Sequence, residues 1–113
     1  MISAQMNVIR NLSKRIYSID KMSRYHCQTQ KIKDERNALL LERTKRWCEL
    51  LEVLDDLDAP DDVVYIIRQR CIGRNTWLSI ASDLYIDLQF NAMMPMRRLD
   101  QWLNSLKNEK ESG

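Results

Sequence analysis

Helix breakers are scarce in this chain. Its 113 residues include two glycines and two prolines, and both prolines, Pro60 and Pro95, fall in the second half. From Met1 to Ala59 there is neither. Such a stretch excludes the turn-dense pattern of a sheet protein and predicts long helices. Paired cysteines are lacking as well. Cys27, Cys48 and Cys71 are widely spaced, no C-x-x-C occurs, and His26 is the single histidine. That excludes a disulfide framework and a structural zinc site, and it predicts reduced, mostly buried thiols. His26 adjoins Cys27, but neighbours on a helix point about 100° apart and make no catalytic pair. No glycine-rich phosphate loop and no acid–base constellation is present, so an enzyme, a cofactor and a bound metal are not expected. No apolar leader opens the chain, and no apolar run approaches the roughly 18 residues of a membrane span. The expectation is a cytoplasmic protein.

Net charge is also small, at +2. Its distribution is uneven. Between Asn7 and Arg36 stand Arg10, Lys14, Arg15, Lys21, Arg24, Lys31, Lys33 and Arg36, against Asp20, Asp34 and Glu35. From Cys48 to Asp62 there are seven acids and no base; from Pro60 onward seven bases balance seven acids. The basic segment reads either as a solvated helix face or as a surface for phosphate or for an acidic partner. The neutral second half is a weak electrostatic footprint for nucleic acid.

What the chain does have is helical periodicity. Ile2, Met6, Ile9, Leu12, Ile16 and Ile19 recur at steps of three and four over about five turns. Ile9, Leu12, Ile16 and Ile19 form a seam that suits either an internal core or a homodimeric coiled coil. Apolar content falls between Asp20 and Arg36, so this part is either one polar stretch of a rod or a helical hairpin turning between Ser23 and Thr29. A strongly apolar helix follows from about Lys31 to Leu57, with Leu39, Leu40, Leu41, Trp47, Leu50, Leu51, Leu54 and Leu57 as its apolar set. Asp58-Ala59-Pro60 ends it, because a residue before proline avoids the α region. Pro60, Asp61 and Asp62 suit the first turn of the next helix. Val63, Val64, Ile66, Ile67 and Cys71 give it an apolar face, and Gly73 suits a left-handed cap. Thr76 caps a helix from Trp77 to Leu84 with Trp77, Ile80, Ala81 and Leu84 on one face. Leu99, Trp102, Leu103 and Leu106 bury one side of a last helix. The fold class expected is all-α: a long N-terminal helix or helical hairpin, then a helix-turn-helix unit. The divisions are a helical segment at 1–57, a helix-turn-helix unit at 58–107 and a flexible tail at 108–113.

The stretch VVYIIRQRCIGRNTWLSIASDLYID…RRLDQWL, within Asp58 to Leu103, resembles the helix-turn-helix of sigma factor region four, as found in phage-encoded transcription regulators of the ArpU type. Those regulators also place a long helical part ahead of the unit. The resemblance implies a phage-type regulator in the host-cell cytoplasm that binds duplex DNA at a promoter, with host RNA polymerase as a further contact. It implies a reading helix capped by Asp87, and a DNA-binding set of Arg74, Thr76, Gln89, Asn91, Arg97 and Arg98. Gln and Asn suit adenine, and Arg suits guanine.

Pro95 bears on this placement. Counted from Asp87 it lies at the eighth helical position, where proline costs about 3 kcal/mol or more. The helix is then either kinked, or it starts late, with Asn91 as cap or with Pro95 itself in its first turn. The apolar stretch around it supports a rival expectation. Leu88, Phe90, Met93, Met94 and Met96 would be an adaptable contact surface for a host protein, such as a polymerase or a defence nuclease, as in anti-CRISPR inhibitors. The plainer reading of the methionines is core filling.

Overall fold

The computed structural model describes residues 2–24, 29–85 and 91–112. Within them the protein is all-α, as expected, with five helices. They fall into two compact units, Met1–Asp58 and Ala59–Gly113. No helix among the described residues is long and apolar enough to cross a membrane.

The first unit is a helical hairpin. Helix α1 runs Ile2–Ser23 and α2 runs Gln30–Asp56. Thr29 starts α2: its backbone is extended and its hydroxyl accepts from the Ile32 amide at 3.3 Å. Two cross-links set an antiparallel register. Arg36 meets Asp20, and Arg43 meets Ser13, so a step of seven residues back along α1 matches seven forward along α2. Between them Leu12, Ile16 and Leu39 form a core cluster, with Ile19 and Leu40 packed against it. The seam offered above for dimerisation is thus occupied inside the chain: Ile9, Leu12 and Ile16 are buried and Ile19 half-buried. The second apolar set divides. Leu39, Trp47, Leu50 and Leu54 are buried, whereas Leu41 is 74% exposed and Leu51 and Leu57 also face outward. Three consecutive leucines cannot share one helix face, because successive side chains diverge by about 100°.

A left-handed residue, Asp58 (φ 52°), follows α2. Pro60 then caps α3, Asp61–Cys71, whose first turn carries Asp61 and Asp62. Negative charge there complements the helix macrodipole. The left-handed position expected at Gly73 is taken instead by Arg74 (φ 53°). Gly73 has a different use. A Cβ on it would come within 2.6 Å of Gln69 Oε1, the atom that accepts a hydrogen bond from the Asn75 side chain. The absent side chain makes room for that link across the α3–α4 turn.

Helix α4, Trp77–Leu84, is capped by Thr76, whose hydroxyl accepts from the Ser79 amide at 3.2 Å. Helix α5 runs Met93–Ser112, so helix covers most of the segment expected as a tail. The three helices pack on one another. Val63, Ile66, Ile67, Cys71, Ile80, Ala81, Pro95, Leu99 and Trp102 are their buried side chains. Trp77, expected in the core, is half-buried and carries the Arg70 guanidinium 4.3 Å above its ring. Tyr65 on α3 donates to Asp83 on α4 at 3.1 Å. Cys71 is buried as expected of the thiols, but Cys48 is exposed; His26 and Cys27 lie outside the described residues.

Candidate nucleic-acid interface

The start of α5 decides which side chains it presents. Asp87 lies outside the described residues; a helix running unbroken from it into α5 is overturned, because Asn91 and Ala92 are not helical and α5 begins at Met93. Asn91 caps it: Oδ1 accepts from the Met93 amide at 2.9 Å and the carbonyl from the Met94 amide at 3.2 Å. Pro95 is then the third helical residue. The first turn has no intrahelical acceptors for its amides, so a residue without one loses nothing there. Its ring is fully buried. Of the two alternatives left by the sequence, the late start is the one adopted. Eight positions in sequence separate Leu84, the last residue of α4, from Met93, the first of α5; the turn of a helix-turn-helix commonly has three or four.

With α5 in this phase, Leu99 and Trp102 are buried and Leu103 and Leu106 half-buried. The opposite side shows Met93, Arg97, Asp100, Gln101, Asn104 and Lys107, all exposed. Their spacing follows i, i+4, i+7, i+8, i+11, i+14, a single helix face. Arg97, Gln101 and Asn104 together rise about 10 Å along the axis. Arginine matches the O6/N7 edge of guanine, and Gln and Asn match the N6/N7 edge of adenine. That length covers about three base pairs of the 3.4 Å duplex repeat.

The residues expected to bind DNA part company. Arg97 is on the outward face. Arg98, its neighbour, is turned to α3, where Nε and Nη2 donate to the two carboxylate oxygens of Asp62 at 2.7 and 3.2 Å. That two-point contact holds the Asp62 carboxyl below its ordinary range, and it raises the Arg98 guanidinium. Thr76 and Asn91 are helix caps with their side-chain oxygens engaged. Arg74 is exposed in the α3–α4 turn. Gln89 lies outside the described residues, as do Leu88 and Phe90 of the rival set. Of the methionines, Met93 is 45% exposed, while Met94 and Met96 are half-buried.

Gln101 and Asn104 were missed from the sequence. The signal was present: they occupy the phase opposite Leu99, Trp102 and Leu106. A helix starting at Leu88, five residues before the observed start at Met93, hides it, because its outward turn is a different one. Arg70, too, is engaged, donating to the Asn75 carbonyl at 3.1 Å besides its contact with Trp77.

The arrangement is therefore a three-helix unit with a largely polar, exposed face on its last helix. Comparison of the chain with protein-family models, with curated proteins and with solved structures finds no match.

Proposed function

We propose that the chain is a DNA-binding transcription regulator of the phage type, with α5 as the helix that enters the major groove. The observation that carries this reading is the exposed Arg97–Gln101–Asn104 face, backed by the buried Leu99 and Trp102. The order of a short helix before a long one, and the resemblance of the Asp58–Leu103 stretch to sigma region-four units, support it. The partner is promoter DNA, with host RNA polymerase as a further contact and the host-cell cytoplasm as the place of action. A homodimer on this reading uses a surface other than the α1 seam.

The test is selection of bound duplexes from a random pool, followed by titration of the selected site. Arg97→Ala with Gln101→Ala should cost about 1–3 kcal/mol per lost base contact and relax preference at the matching positions. Arg98→Ala should leave the preferred sequence unchanged, since Arg98 is held by Asp62. Unaltered preference in the Arg97/Gln101 variant sinks the reading.

Met93 supports a second reading, that of a protein-binding inhibitor of a host protein. It stands out on the same face, and an exposed thioether at the start of a polar helix suits a partner of irregular shape. A single host protein retained by the chain after nuclease treatment, and lost with Met93→Ala, would favour it over the regulator.

A further inference from the structure

The hairpin has two flanks, and they treat charge differently. On one, Arg46 of α2 pairs with Glu42 at 2.8 Å and lies 3.9 Å from Glu49, so acid and base alternate and no positive surplus is left. On the other, α1 lines up Arg10, Lys14, Tyr17 and Lys21 at steps of four, three and four, and Arg24 continues the row just past the helix end. Like charges at these spacings destabilise a helix, so stability does not account for the row. Asp20 is the one acid of α1, and Arg36 occupies both its oxygens, at 2.6 and 3.2 Å.

The same edge gathers further positive charge from α2. Lys33, Arg36 and Asn37 line a shallow open cavity together with Asp20. Arg43 is half-buried beside them and donates to Ser13 Oγ at 3.4 Å, a long contact. The hydrogen bonds from Arg36, and after them the charges of Arg36, Arg24 and Arg43, hold the Asp20 carboxyl below its ordinary range. Burial, and then the like charge of Arg36, lower Arg43. Three guanidiniums share one carboxylate, and the positive surplus stands at the surface.

We infer that this face of the hairpin, built on Lys14, Lys21, Arg24 and Lys33, is a sequence-independent binding surface for the phosphate backbone of duplex DNA. From Arg10 to Arg24 the row extends about 21 Å, the length of about six base pairs along one strand. Its groups are point charges and guanidiniums, which suit phosphate. A protein interface would need a desolvated apolar anchor at its centre, and this row offers only Tyr17, itself 49% exposed. The second unit is neutral in total, so the phosphate attraction on which duplex affinity depends has its main source here. The inference rests on the proposed reading of the chain as a duplex-DNA binder, though not on base reading by α5.

The experiment is a titration of the full chain on a selected and on a scrambled duplex between 50 and 200 mM salt. Lys14→Glu with Lys21→Glu should weaken binding to both duplexes by the same factor, tenfold or more at the low-salt end. It should also flatten the slope of log affinity against log salt by about 2, one unit per lost phosphate contact. Both positions are exposed, so circular dichroism should be unchanged. Lys45→Glu, an exposed base elsewhere on α2, should leave the slope as it is. A slope equal to wild type in the Lys14/Lys21 variant overturns the inference and leaves reading by α5 standing. Binding without sequence preference whose slope collapses in that variant supports the inference and overturns reading by α5. No duplex binding by the wild type overturns both.

Discussion

Arg97 and Arg98 are adjacent arginines with opposite duties. A shift of 100° around α5 sends one to solvent and the other to Asp62, 36 residues away in sequence. Both partners of the Asp62–Arg98 pair are a third or more exposed, so screening limits its worth to about 1 kcal/mol at most. The folded-state carboxyl is depressed, so the contribution is complete above the ordinary aspartate range and fades as pH falls through the depressed value. Arg98→Ala should therefore lower the urea midpoint at pH 7. The gap to wild type should close on acidification below about pH 4. Pro95 offers a test of sign. In a helix interior, replacing proline with alanine would stabilise by about 3 kcal/mol. At the third position of α5, with its ring buried, Pro95→Ala should destabilise instead, by about 1–2 kcal/mol. Thermal unfolding of the two proteins decides between these.

At the scale of elements, α2 carries its charge against its own dipole. Its first turn has no acid and its last turn no base, while Asp55 and Asp56 crowd its C-terminus. Asp56→Lys should stabilise the chain by about 0.3–1 kcal/mol at low ionic strength, with the gain shrinking in high salt, as read from urea titrations. The helices themselves were legible in the sequence, because Thr76, Pro60 and the Ile2–Ile19 periodicity are local signals. What each face packs against was not. A three-four repeat says that Leu12 and Ile16 are buried, but a dimer partner and Leu39 of the same chain satisfy it equally. Only a register between distant residues, such as Ser13 with Arg43, separates the two. The late start of α5 was half legible: Pro95 demanded either a kink or a new start, and local propensity could not choose. The buried ring and the Asn91 cap explain the choice. Gly73 was misread for a related reason, since its use depends on the Gln69 side chain rather than on its own backbone.

For the whole molecule, the antiparallel hairpin matters beyond its core. It lays the basic part of α1 beside the start of α2 and leaves the acidic run that begins at Glu49 beside and beyond the uncharged residues Ile2–Ile9. The unit is thereby polarised end to end. Near a polyanion it feels a torque as well as a pull, since one end is drawn in and the other pushed away. Orientation is then set during approach, before any hydrogen bond forms. Such steering acts on encounter and little on escape. In stopped-flow mixing with duplex DNA, raising salt from 50 to 200 mM should slow association by about tenfold or more and change dissociation far less. The fold of two helices back on each other thus acts as a compass for the hairpin unit, and its needle is the surplus of lysine and arginine at one end against the run of aspartate and glutamate at the other.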